Sequence, residues 1–462
     1  MSARERPVVI VANRLPVSRA KVKGGEWTRS PGGLVSALVP IIQRTGGAWI
    51  GWTGTTGTAP APFRHDDIDL IPVGITRAQL ESFYDGFCNG TLWPLYHGSI
   101  REPEYHRRWW RPYVAVNRRF ASTTAENAPR NALVWVHDYH LQLVPALLRE
   151  MRPDLRIGFF LHIPFPPEEL FGRLPWRRQI IEGLLGADVV GFQTQIGAQN
   201  FVRLARRLTE ARSEGGTLRF HGHLVSVGAF PISTDFERYN AAAQDDLVRQ
   251  RAGEIEQLGR GRQIILGVDR LDYTKGIDVR LRAFSELLSR RRQIARDTMF
   301  IQLAVPSRER VSEYRQLRRR VEELVGQING EYSDVGLTPV QYMHRELPFT
   351  ELIALYRAAS IMVVTPFADG MNLVAKEYVA TRFDNTGILI LSEFTGAAQE
   401  LKTALQVNPH DVDGLAETLE IALSLPEKES TRRMRRLRDV VAAHTVYDWA
   451  DAIIDSLAGK VR

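Results

Sequence analysis

QIILGVDRLDYTKGID, residues 263–278, and IMVVTPFADGMNLVAKEY, residues 361–378, follow one pattern: an apolar run of strand length, a short polar loop, then a helix-period stripe. The first loop carries two cations, Arg270 and Lys275, and the second carries Asp369-Gly370 ahead of a predicted helix start. Ile277, Leu281, Phe284 and Leu288 form the apolar face of one helix, and Met371, Val374, Ala375, Tyr378 and Val379 that of the other. In an open parallel α/β sheet, ligands bind beyond the carboxyl ends of the strands, where helix N-termini favour anions. A diphosphate bearing a polyhydroxylated group satisfies both loops, which points to a sugar nucleotide.

The same alternation extends outward from these segments. In the first half VVIVA (8–12), ALVWV (132–136), IGFFL (157–161) and DVVGF (188–192) each run into a loop and a helical candidate, LVSALVPII and LQLVPALLRE among them. HLVSVGAFP (223–231) closes that half, and Pro231-Ile232-Ser233 begins a connection. The pattern restarts at 263 and continues through MFIQLAV (299–305), VQYM (340–343), IMVV (361–364) and ILILS (388–392). Strands alternating with helices predict parallel sheets covered on both faces, so the expected fold is α/β with two doubly wound domains split near residue 230 and a site in the cleft between them.

A chain of 462 residues exceeds what one core usually serves, and 44% hydrophobic with 24% charged residues is an ordinary globular composition. No apolar run approaches the length of a membrane span, and the polar start before Val8 does not read as a signal peptide, so a cytoplasmic location is expected. Cys88 is the only cysteine, which excludes an intrachain disulfide and a cysteine-based zinc site. The net charge of +7 invites a nucleic-acid reading, but the arginine clusters, RRMRRLRD among them, alternate with apolar residues as solvated helix faces do. Of the 60 basic residues only seven are lysine, which singles out Lys275 and Lys376 inside loop–helix motifs.

Breaking a sugar–diphosphate bond leaves negative charge on phosphate, and fixed positive charge is the group that stabilises it. Arg270 and Lys275 are placed for this, helped by the backbone of Gly370, Met371, Asn372 and Leu373; the plain alternative is ion pairing with Asp269, Asp272 or Asp278. Asp369 reads as a hydroxyl acceptor or a helix N-cap, and Glu377 as a ribose contact or an exposed helical glutamate. His137, Asp138, His140 and His162 fall at two strand ends, where they suit hydroxyl recognition; an H-x-x-H metal site is the competing reading. Asp67-x-Asp69 matches a metal-binding D-x-D only superficially, in a polar loop. Arg14 and Arg308 are candidate cations for a second, phosphorylated substrate, with Tyr84 and Trp93 as possible donors.

Together ANRLPVS, SPGGL, WIGWTG, LWPLYH, WVHDYHL, GFFLHIPFP, GFQT, VDRLDYTKG, QINGEY, DGMNLVAKEY and LSEFTGAA resemble the trehalose-6-phosphate synthase family over nearly the whole chain. The resemblance implies a GT-B fold of two Rossmann-like domains and retaining transfer of glucose from a nucleoside diphosphate to glucose 6-phosphate. It implies that Arg270 and Lys275 hold the donor diphosphate, Asp369 the transferred glucose and Glu377 the ribose, with His162 beside the donor sugar. Arg14, Tyr84, Trp93 and Arg308 would bind the acceptor phosphate, Asp138 and Trp52 would place the acceptor sugar, and Gly32-Gly33 would approach the donor.

By the same resemblance, residues 1–230 form the acceptor domain, joined by 446–462, and 231–445 form the nucleotide-sugar domain. The family often reads R-D-G-M-N-L where this chain has Ala368 before Asp369-Gly370, so UDP-glucose and GDP-glucose both stay open as donors. Expected partners are small-molecule substrates, not nucleic acid or membrane; no cofactor or metal is expected, and self-association into a homo-oligomer is left open. Two other readings are kept: the same scaffold with another acceptor such as glycerol 3-phosphate, and a catalytically silent sugar-phosphate sensor.

Overall fold

The computed structural model describes residues 6–19, 26–30 and 33–459; Gly32 lies outside them. They fall into two compact units, one running to Ile232 and taken up again from Val446, the other spanning Ser233–Thr445.

The first unit contains β1 (Val8–Arg14), the small antiparallel pair β2 (Val17–Arg19) and β3 (Trp27–Arg29), β4 (Ala48–Trp52), β5 (Phe63–His65) and β6 (Ile68–Pro72). It continues with β7 (Leu133–His137), β8 (Arg156–Phe160), β9 (Val189–Phe192), β10 (Arg212–Glu214), β11 (Thr217–Phe220) and β12 (His223–Ala229). Its main sheet runs β10-β11-β12-β9-β8-β7-β1-β4-β6-β5. From β12 to β6 every pairing is parallel, and short antiparallel strands border both edges. β1, β7 and β8 are almost wholly buried, as continuous apolar runs in a parallel sheet must be.

The second unit is built on β13 (Gln263–Arg270), β14 (Thr298–Val305), β15 (Val340–Met343), β16 (Ile361–Val364), β17 (Ile388–Ser392) and β18 (Leu405–Val407). They pair in parallel in the order β15-β14-β13-β16-β17-β18. In chain order this is 3-2-1-4-5-6, the doubly wound arrangement that binds ligands where the order reverses, between its first and fourth strands. The inner strands of the first unit, β6-β4-β1-β7-β8-β9, repeat the same 3-2-1-4-5-6 order.

Several local features differ from the sequence reading or add to it. LQLVPALLRE does not start its helix at Leu141: a 3-10 turn covers Tyr139–Leu141 and the helix runs Val144–Met151, with Pro145 in the first turn where its missing N–H costs nothing. Leu80–Leu92 winds with the wide π-type pattern, and Gly86 and Gly90 leave room there for the Trp109 ring. Asp67 lies in the tight turn of the β5–β6 hairpin and Asp69 is on β6, so the D-x-D is not in an open loop. The helix after β16 starts at Leu373 rather than Gly370, and its N-cap is Asn372, whose Oδ1 accepts from the Ala375 N–H at 3.0 Å. Asp369 is therefore not the cap.

The helix Val446–Leu457 packs within the first unit. Leu457 fills the space a side chain at Gly158 of β8 would take, and Trp449 lies 4.9 Å from the Trp135 ring and 5.2 Å from Phe160.

Candidate active site

In the first unit the strand order reverses between β1 and β7, and side chains from the carboxyl ends of the sheet gather there. β1 ends in Arg14, an exposed cation whose guanidinium carbon lies 4.9 Å from the centre of the Trp52 ring at the end of β4. The guanidinium also lies over Gly54: a Cβ there would sit 2.0 Å from Arg14 Nη2, and φ at Gly54 is +91°, a conformation that favours glycine. Trp52 meets Tyr84 edge-on at 5.9 Å, and Tyr84 stacks on His140 at 5.8 Å. Trp93 joins through Tyr139, 5.6 Å away and itself 3.9 Å from His140. A guanidinium followed by amphipathic rings suits an anion attached to a sugar.

Asp138, which follows β7 with φ +71°, points its Oδ1 at the His162 N–H at 3.3 Å and its Oδ2 towards His140 Nδ1 at 3.8 Å. His137 Nδ1 and His162 Nε2 are 3.1 Å apart. Burial among Trp135, Phe160 and Trp449 holds both imidazoles neutral: His162 is pushed down to about 3, and His137 is held well below its ordinary value by burial and then by His162. Gly33 opens the helix Gly33–Thr45; its neighbour Gly32 is outside the described residues.

In the second unit the reversal lies between β13 and β16, and the loops of both opening motifs flank it. Lys275 Nζ donates to Asp369 Oδ2 at 2.6 Å, and Asn372 Nδ2 reaches the same oxygen at 3.1 Å. The Asp369–Gly370 turn is stitched to the next loop, with Asp369 N–H on the Phe394 carbonyl and Gly396 N–H on the Asp369 carbonyl, both at 3.1 Å. Gly276, at φ +61°, brings the lysine loop so close to Thr365 that a Cβ would lie 2.2 Å from its carbonyl oxygen.

Arg270, exposed at the end of β13, Lys275 and Arg308 share a fully buried anion, Asp272. Burial works to raise that carboxyl, but Arg308, Arg270, the Thr274 N–H and Lys275 outweigh it and hold it below the usual carboxylate range. Arg308 Nη1 is 3.0 Å from Asp272 Oδ2 and also contacts the Tyr314 hydroxyl. The structure thus brings Arg308 together with Arg270 and Lys275 inside one unit.

Glu377 is buried rather than exposed: Tyr356 donates to its Oε2 at 3.1 Å and Tyr239 also bonds it, while burial pushes its carboxyl up against those two hydroxyls. Met371, in the loop before the helix, is buried, and Leu373 opens the helix. Lys376 is wholly buried on Glu400 at 2.9 Å, a structural pair.

Sequence reasoning missed Gly54, Tyr314, Tyr239, Tyr356 and Arg280. Arg280 is completely buried; its Nη2 lies 2.7 Å from Asp269 Oδ2 and donates to the Lys275 carbonyl at 2.8 Å, while Nη1 and Nε reach Val363 O and Thr365 Oγ1 at 3.0 Å. It ties the lysine loop to β16. The one available signal was an arginine placed on the helix face that should be apolar, three residues past Ile277.

The sequence model of glycosyltransferase family 20 matches residues 6–459. The chain is 55% identical over 466 aligned residues to a trehalose-6-phosphate synthase of Mycobacterium avium (strain 104), covering 97% of this chain and 95% of that protein. It is similar to the solved alpha,alpha-trehalose-phosphate synthase (UDP-forming) from Burkholderia xenovorans in complex with glucose-6-phosphate, at 33% identity and a TM-score of 0.90 over 98% of this chain and 99% of the other. A structure from E. coli bound with UDP-2-fluoro glucose gives 32% identity and a TM-score of 0.91 over 98% and 99% of the two chains. With its two doubly wound sheets and these full-length likenesses, the chain belongs to glycosyltransferase family 20 and is a glycosyltransferase of the GT-B fold.

Proposed function

We propose that the protein transfers glucose from a nucleoside diphosphate glucose to the anomeric hydroxyl of glucose 6-phosphate, with retention, to form α,α-trehalose 6-phosphate. The observation that carries this reading is the Lys275–Asp369 contact at 2.6 Å beside Arg270, at the strand-order reversal of the second unit. A lysine for phosphate and a carboxylate for sugar hydroxyls stand next to each other, as groups that grip adjacent parts of one donor must. The names of the relatives and their bound ligands support the same assignment.

In this reading Arg270 and Lys275 neutralise the charge that grows on the leaving phosphate as the sugar–oxygen bond breaks. The departing phosphate oxygen takes the acceptor's proton while the new bond forms on the same face, so no carboxylate pair acts as acid and nucleophile. Glu377, oriented by Tyr239 and Tyr356, receives the ribose hydroxyls. Arg14, Tyr84, Trp93 and Arg308 bind the acceptor phosphate, Trp52 and Asp138 place its sugar, and His162 contacts the transferred glucose. Residues 1–230 with 446–462 form the acceptor domain and 231–445 the nucleotide-sugar domain, with Arg308 an acceptor contact carried by the latter and His162 a donor-sugar contact carried by the former.

One panel tests the proposal: UDP-, GDP- and ADP-glucose, each with glucose 6-phosphate or glycerol 3-phosphate, with and without excess chelator. Trehalose 6-phosphate from glucose 6-phosphate, undiminished by chelator, is the expected outcome, and the productive nucleotide names the donor. Turnover only with glycerol 3-phosphate, or with no pair, contradicts it.

A further inference from the structure

His137 has no place in the reaction as proposed, yet it is wholly buried at the end of β7 with one ring nitrogen on His162 and the other, Nε2, without a hydrogen-bond partner. Of the 3.1 Å pair His137 Nδ1 and His162 Nε2, one nitrogen carries the shared proton. If His162 Nε2 carried it, neutral His137 would bear its own proton on Nε2, as a buried N–H donor with nothing to receive it. The other unpartnered polar atoms of this apolar box, Trp135 Nε1 and Trp449 Nε1, are themselves N–H donors, with the Trp135 ring 4.6 Å from His137. An orphaned buried N–H is a rarer outcome in folded proteins than an unfilled acceptor lone pair. The proton therefore belongs on His137 Nδ1.

We propose that His137 is a positioning residue that donates its Nδ1–H to His162 Nε2 and so fixes His162 as the neutral tautomer protonated on Nδ1. This inference rests on the reading of His162 as a contact of the transferred sugar. It has two consequences there. His162 presents an N–H donor at Nδ1, for an oxygen lone pair of the sugar. It also adds no positive charge beside an anomeric carbon that becomes cationic as the leaving group departs, because protonating His162 would require its Nε2–H to donate to His137 and force the orphaned proton onto His137 Nε2.

The test has two arms on the full-length protein. In the histidine-¹⁵N-labelled wild type without substrate, with the His162 signals identified by their loss in His162→Gln, Nδ1 is expected to carry the proton and Nε2 to show the unprotonated shift. A proton on His162 Nε2, or averaging between the two nitrogens, overturns the proposal. In the transfer assay His137→Asn, whose amide can replace the Nδ1–H, is expected to stay near wild-type kcat, whereas His137→Phe loses about tenfold, one hydrogen bond's worth. Full activity in His137→Phe overturns the proposal as well. The tautomer is read without turnover, so its outcome stands apart from whether the proposed reaction is correct; should His137→Phe fail to fold, the wild-type spectrum decides.

Discussion

Gly54 shows how much a site can depend on an atom that is missing. The Arg14 guanidinium occupies the space of the Cβ, so Gly54→Ala must displace the cation and also strain a backbone at φ +91°. We expect KM for glucose 6-phosphate to rise about tenfold with kcat little changed, equivalent to about 1.4 kcal/mol of lost binding; an unchanged KM contradicts the assignment of Arg14 to the acceptor phosphate. The histidine pair makes a prediction in stability. The folded chain keeps His162 unprotonated down to about pH 3, whereas an unfolded histidine takes its proton near 6.5. Over that window the unfolded state binds more protons, so stability falls as the pH drops from 6.5 towards 3 and the effect is absent above 6.5. Urea midpoints at pH 7.0 and 5.5, above the range where most carboxylates titrate, should separate less in His162→Gln than in the wild type; equal separation contradicts the buried neutral pair. Arg270, Lys275 and Asp369 were legible in the sequence because each stands at the end of an apolar strand or on the short loop that follows one. Gly54, Tyr239 and Tyr356 were not, since their importance comes from contacts with residues distant in sequence that no local spacing encodes.

At the scale of elements, the long apolar runs at β1, β7, β8, β13 and β14 were legible because a strand buried on both faces has no alternation to confuse it. The short antiparallel strands β5, β10 and β11 at the borders of the sheet were not: each is only three or four residues long and carries polar or charged side chains. Helix starts were misread where a cap competes with a loop residue, as Asn372 does with Asp369, and where a proline allows a later start, as at Val144. The helix Val446–Leu457 carries the prediction for this scale. Its Trp449 is wholly buried against Trp135 and Phe160, and reaches His162 at 6.2 Å. Trp449→Ala should cost about 3–5 kcal/mol in equilibrium unfolding, by lost burial and the cavity left behind. A loss below about 1 kcal/mol would show that the helix is not held by this contact.

Across the whole molecule one topological rule recurs: both units order their inner strands 3-2-1-4-5-6, and in each the candidate residues collect at the reversal. In the first unit the reversal presents a guanidinium and a row of aromatic rings; in the second it presents Arg270, Lys275 and Arg308 around Asp272, with Asp369 bonded to Lys275 and Glu377 on the helix that follows Asp369. The buried Asp272 and Arg280 hold these loops, so the positive charges of Arg270 and Lys275, proposed to meet the leaving diphosphate, are held in place before any substrate arrives. The most direct test of that claim is kcat for glucose transfer in Arg270→Ala and Lys275→Ala, with thermal unfolding measured on the same preparations. The account predicts a fall of about 10²–10³ or more in each, with a cooperative unfolding transition retained. Folded variants turning over within about threefold of the wild type would contradict it, because such a leaving group could not have depended on those charges.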